Sequence, residues 1–147
     1  MFKVIVCLLS GIPAISYAQD YGCATVGASM ELSLFDAIKN DLNIELTTII
    51  KDETKVEIMY SSPVSKIYAE YLARVDYERD KAKNKEVILD EKSYFDSYYE
   101  KQTKSIVAKY TYTNKSKEKD VFIASSLMND DECSVRFNGY IILSREF

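Results

Sequence analysis

The side chains in this sequence that could do chemistry are overwhelmingly acids and tyrosines. Among 147 residues there are 23 Asp and Glu, 12 Tyr and 3 Cys, and no histidine. Without histidine, neither a Ser-His-Asp nor a Cys-His nucleophile can be assembled, and a histidine-ligated metal is excluded. Glycine-rich phosphate cradles and the GxSxG elbow are absent as well. Catalysis would have to rest on carboxylates, lysine or tyrosine. Adjacent acids such as Asp90/Glu91 and Asp130/Asp131 are the first candidates, because two carboxyls facing across a cleft can hydrolyse a glycosidic bond. In a short chain with this many acids, however, adjacent pairs are what a solvated surface produces by itself. The sequence predicts no catalytic set, no enzyme and no cofactor.

Two other constellations have a chemical reading and a plainer one. Asn129-Asp130-Asp131-Glu132 offers four oxygen-bearing side chains in a row, but it lacks the alternating spacing of a calcium loop, and neighbouring residues point different ways. It is expected to bind no metal and to be an acidic loop, with Asp130, Asp131 and Glu132 available to dock a basic partner. Asn114-Lys115-Ser116 matches the N-glycosylation pattern, yet Asn and Ser are also what a hairpin tip needs.

The densest aromatic stretch is DEKSYFDSYYEKQ, residues 90–102. Asp90 can cap a helix in which Tyr94 and Tyr98 lie four apart, as do Phe95 and Tyr99, so all four rings fall on one side. Such a stripe commonly docks a short helix onto a core. Tyrosine also supplies large contact area with few rotors, which suits a binding hot spot. Four rings exceed what two turns need, so Tyr94, Phe95, Tyr98 and Tyr99 are candidate binding residues, with one or two expected to face outward.

Residues 1–18 have the composition of a secretory leader. Lys3 supplies the charge, Val4 to Ile15 the apolar run, and Ser16-Tyr17-Ala18 the small-residue cleavage site. The run is too short to span a bilayer, so no anchor is expected after cleavage. Residues 19–147 then form a single domain, placed in the periplasm or outside the cell. Loss of Lys3 moves the formal net charge from −4 to −5. A mildly acidic domain has no electrostatic reason to bind nucleic acid and would attract basic partners. With Cys7 gone, Cys23 and Cys133 remain in an oxidising compartment and are expected to form a disulfide.

The elements that must position these residues follow from periodicity. Met30, Leu34, Phe35, Ile38 and Leu42 are spaced for an amphipathic helix, with Ser29 as its N-cap and Asn43 as its stop. Residues 44–62 alternate on either side of Lys51-Asp52-Glu53-Thr54 and read as a hairpin. Residues 66–79 carry both periods; the alternation of Ile67, Ala69, Tyr71, Ala73, Val75 and Tyr77 favours a strand. Residues 80–85 read as a solvated connection. A second hairpin spans SIVAKYTYT and VFIASSL, and a last strand runs through CSVRFNGYIILS with Gly139 as a bulge. The sum is an α+β domain, an antiparallel sheet of five to six strands with the N-terminal helix on one face, comparable by element order to cystatin-like or NTF2-like domains.

An exported, stapled, acidic domain without a catalytic set points to contact as its work. The expectation is a protein-binding protein, in its sharpest form an inhibitor or immunity protein against a cell-envelope-directed enzyme or toxin. A small-ligand binder with a tyrosine-lined pocket, or an accessory piece of a secretion or surface assembly, are the alternatives.

Overall fold

The structure is a computed structural model that describes residues 22–83 and 89–147. The leader expected at 1–18 lies outside the described residues. After a helical turn at 22–24, the described residues give the order α1 (Ser29–Leu42), β1 (Lys55–Pro63), α2 (Lys66–Ala82), α3 (Glu91–Tyr99), β2 (Lys104–Thr113), β3 (Lys119–Met128) and β4 (Arg136–Ser144). The strands form one antiparallel sheet in the order β1-β2-β3-β4. The α+β class stands, but the sheet has four strands and not five to six.

Helix α1 forms where its apolar spacing predicts. Met30, Leu34 and Ile38 are fully buried, four residues apart, against the sheet. Its end follows the sequence signal: Asn43 adopts φ 56° and its N–H bonds the Lys39 carbonyl at 3.1 Å. Its start does not, because the N-cap is Ala28 and Ser29 is already the first helical residue. The β2–β3 hairpin also forms as expected. Asn114 organises its turn: Oδ1 accepts from the N–H groups of Ser116 (2.9 Å) and Glu118 (3.0 Å), and Nδ2 donates to Glu118. The bulge expected at Gly139 is present, with φ 109° and a register shift between Ser125 and Ser126 opposite it.

Two segments fold differently from their expected elements. Residues 44–53 form no strand; 3-10 turns at Leu46–Thr48 and Lys51–Glu53 carry the chain past the sheet end. Only Ile49 makes a bridge, to Asn114, because β1 takes β2 as its neighbour instead. Residues 66–82 are a helix and not a strand, and residues 80–82, expected as connection, are its last turn. The apparent period of two was a coincidence of two helical rows. Ala69, Leu72, Ala73, Asp76 and Asp80 face inward at helical spacing, whereas Ile67, Tyr71 and Val75 make an outer row. Ser65 starts this helix by accepting a hydrogen bond from the Tyr68 N–H at 3.3 Å.

The core has two parts. The larger lies between α1 and one sheet face, where Tyr110, Tyr112, Phe122, Ala108 and Ala124 are fully buried. The smaller sits at one end of the opposite face, where the α2–α3 hairpin covers Leu127. Cys23 and Cys133 are joined, as expected, across a sequence separation of 110. The bridge ties the approach to α1 to the approach to β4. Restricting an unfolded loop of this length stabilises the fold by about 4–5 kcal/mol on the chain-entropy account. Replacing both cysteines by serine should therefore lower urea-measured stability by about 2–5 kcal/mol, and reductant should destabilise the parent but leave the variant unchanged.

Candidate functional site

The aromatic helix and the acidic loop meet in space. Between them the link through residues 100–103 serves both sides. Its Lys101 carbonyl accepts from the Asp130 N–H at 3.2 Å, and its Thr103 carbonyl accepts from the Val64 N–H at 3.0 Å. Gln102 reaches Asp130 at 3.2 Å, and Lys101 pairs with Asp131. Asn129 shapes the loop, its Oδ1 accepting from the N–H groups of Asp131 and Glu132 at 2.9 Å each. The result is a shallow cleft of about 230 Å³ lined by Ser97, Glu100, Lys101, Asp131 and Glu132. Among the described residues, no group of three or more acids or cysteines is arranged to hold a metal ion.

The rings of α3 turn mostly inward. Asp90 caps the helix as expected, its Oδ1 accepting from the Ser93 N–H at 2.7 Å. Tyr98 is buried and donates to Asp76 Oδ2 at 2.7 Å; Tyr94 donates to Asp80 Oδ2 at 2.5 Å. Two tyrosines one turn apart thus address two aspartates one turn apart on α2. Phe95 stacks on Tyr99 with centroids 5.2 Å apart, and Tyr99, 42 % exposed, is the ring that faces out.

Asp76 is the electrostatic centre of this arrangement. Its side chain is buried, yet it meets Arg136 Nε at 2.6 Å, Arg136 Nη2 at 3.0 Å and Arg79 Nη1 at 2.8 Å besides the Tyr98 hydroxyl. Burial by itself would raise its pKa. The hydrogen bonds from Arg136 and Tyr98 and the two guanidinium charges outweigh that, and the carboxyl is held below its usual range. The separate bond that Tyr94 donates to Asp80 pushes the Tyr94 hydroxyl up to about 12. A carboxylate fixed in its charged form with its lone pairs occupied is a clamp, not a proton shuttle. The other paired acids are engaged elsewhere: Asp90 in the cap, Glu91 with Arg74, Asp130 and Asp131 with Gln102 and Lys101.

A second buried acid lies under α1. Glu31 is buried and accepts from the Gly27 N–H at 2.5 Å through Oε2, with the Tyr112 hydroxyl against its carboxyl. Desolvation raises its pKa, and the bond from Gly27, the neighbouring Tyr112 hydroxyl and the Lys51 charge only partly counter it.

No family model, curated protein or solved structure matches this chain.

Sequence reasoning did not find the outer row of α2. Ile67 is 80 % exposed and Tyr71 61 %, with Tyr68 and Val75 beside them at 39 % and 38 %. The spacing of four was visible, but reading 66–79 as a strand assigned Ile67, Tyr71 and Val75 to a buried face.

Removing the Asp76 charge tests the clamp. Asp76→Asn should cost about 3–5 kcal/mol at neutral pH, because Arg136 is left half-buried without its counter-charge. The lowered pKa means that the parent's extra stability is present above the unfolded value of 3.8 and is lost as pH falls through the folded one. Urea titrations between neutral and acid pH should therefore show a flatter profile in the variant at the acid end. Glu31 has the opposite sign. Its folded pKa is raised above 4.5, so stability falls as pH rises through the window between the two values. Glu31→Gln should be more stable than the parent at neutral pH, with the gap closing below about pH 4.

Proposed function

We propose that this domain is a non-catalytic, exported protein-binding module, and that the outer face of α2 is what its partner touches. The observation that carries this reading is that α2 is apolar on two faces. One face, Ala69, Leu72 and Ala73, is used by the fold; the other, Ile67, Tyr71 and Val75 with Tyr68, is left in solvent. Single exposed apolar residues need no explanation, but a row at spacing four with two tyrosines is the composition of a contact surface. Tyr99 and the acidic loop adjoin the link through residues 100–103, which bonds both Val64, just ahead of α2, and Asp130 of the loop.

The partner this surface fits has an apolar groove with a basic rim. An inhibitor or immunity protein acting on a cell-envelope-directed enzyme meets that description. Export suits such a role: the leader pattern at 1–18 and the disulfide both agree with an oxidising compartment. Among the described residues, no helix is long and apolar enough to cross a membrane.

The test uses the oxidised protein against a panel of purified basic peptidoglycan hydrolases and as bait in envelope extracts. The expected result is one enzyme inhibited or one partner retained, with at least about tenfold weaker binding for Ile67→Ala/Tyr71→Ala. The substituted side chains are largely exposed, so thermal stability should shift little. Tyr99→Ala and Asp131→Asn should weaken binding less. Equal binding by the α2 variant and the parent would remove α2 as the contact face.

A further inference from the structure

The sheet has two edges, and they are not alike. β1 carries Lys55 and Glu57, a bulge at Met59 and Pro63 at its end, all features that discourage a further strand from pairing. On β4, residues 137–144 read FNGYIILS, with no charge and no proline. Ile141, Ile142 and Leu143 are consecutive and exposed. Among the described residues β4 pairs with β3 alone, so part of its backbone N–H and C=O groups point out of the sheet. The tail leaves that edge open, because the N–H groups of Glu146 and Phe147 turn to Asp120 Oδ1 on β3, at 2.7 and 3.1 Å.

Bulges also blunt an edge, and β4 has two: Asn138 and Leu143 fall opposite no residue of the β3 ladder. A second β4 can match them. In an antiparallel pair about a two-fold axis through Ile141, Ile141 meets Ile141 and Tyr140 meets Ile142. Residues 138 and 139 of one strand then meet 144 and 143 of the other. Each extra residue is answered by an extra residue, and the ladder resumes in step with Phe137 opposite Arg145. Faces agree as well. Tyr140 and Ile142 lie on the α1 side, opposite Ala124 and Phe122, and Ile141 lies on the other side, opposite Ile123.

Charge favours the same register. Arg145 of one copy falls opposite the Phe137 ring of the other, and Glu146 opposite Arg136, so no two like charges meet. We propose that β4 pairs antiparallel with β4 of a second copy about a two-fold axis through Ile141, joining two four-stranded sheets into one. The assembly closes at a dimer. Pairing consumes the one bare edge of each copy and leaves only the two guarded β1 edges outside. The ladder uses no residue of the outer row of α2 and stands or falls separately from the partner surface there.

Sedimentation of the oxidised protein over a range of concentrations should show monomer passing to dimer and to nothing larger. Amide hydrogen exchange in residues 139–143 should slow as the dimer fills. Ile141→Lys sets two lysines face to face across the axis, and Ile141→Glu two carboxylates; each should weaken self-association at least about tenfold. Mixed in equal amounts, the two variants should dimerise again, because Lys then faces Glu. The side chain is exposed, so both should unfold near the parent's temperature. If either does not fold, sedimentation and exchange of the parent decide alone. A parent that stays monomeric, assembly beyond a dimer, a variant mixture that stays monomeric, or protection of the β4 amides only when a foreign protein is bound overturns the proposal.

Discussion

A buried carboxylate has to be neutralised where it lies, and in this protein that requirement organises the half of the fold that carries the exposed apolar row. Asp76 is surrounded by Arg79 from its own helix, Tyr98 from α3 and Arg136 from β4. Three elements separated by up to 60 residues therefore converge on one group. Arg136 in turn donates to Asn138 at 2.5 Å, and Asn138 to Ser125 at 3.1 Å, so the network runs on into the sheet. The apolar contacts of Val64, Leu72, Tyr98 and Leu127 make the hairpin adhere. The ions fix where it adheres, because an unpaired charge in any shifted position would cost several kcal/mol.

What was legible in the sequence was what local physics decides. The α1 stripe, the αL stop at Asn43, the Asp90 cap, the turn at Asn114 and the bulge at Gly139 all depend on residues a few positions apart. The disulfide was legible by elimination, as the only pairing left once Cys7 is assigned to a leader. The fate of residues 66–82 was not. Asp76 and Asp80 argue against an inward helical face until Arg136, Arg79 and the two tyrosines are known to meet them, and no local pattern supplies that. The segment 44–53 failed for a related reason. Its alternating Ile and Leu could serve a strand, but β2 had one free edge there and β1 took it.

Several of the tyrosines, which looked like surplus contact groups, are consumed by the fold. Tyr94 and Tyr98 bond the two α2 aspartates, Tyr110 donates to the Ala24 carbonyl at 2.7 Å, and Tyr140 donates to Asp41 at 3.1 Å. Each couples a ring in a core to a polar group on another element, which a phenylalanine could not do. The candidate site was therefore half legible. Its location near α3 and the acidic loop was visible, whereas the rings on offer are Tyr68, Tyr71 and Tyr99.

The two cores join at residues 133–136, and that junction explains how a small domain can keep one helix face free for contact. Cys133 packs on the α1 core and carries the disulfide, Val135 packs on the α2–α3 core, and Arg136 reaches Asp76. Four consecutive residues thus hold the covalent tie, an apolar contact and the ionic clamp. With α2 fixed from beneath by this junction, its outer row contributes little to folding. Side chains there can be chosen for a partner's surface without disturbing either core, which is the physical condition a recognition face has to meet.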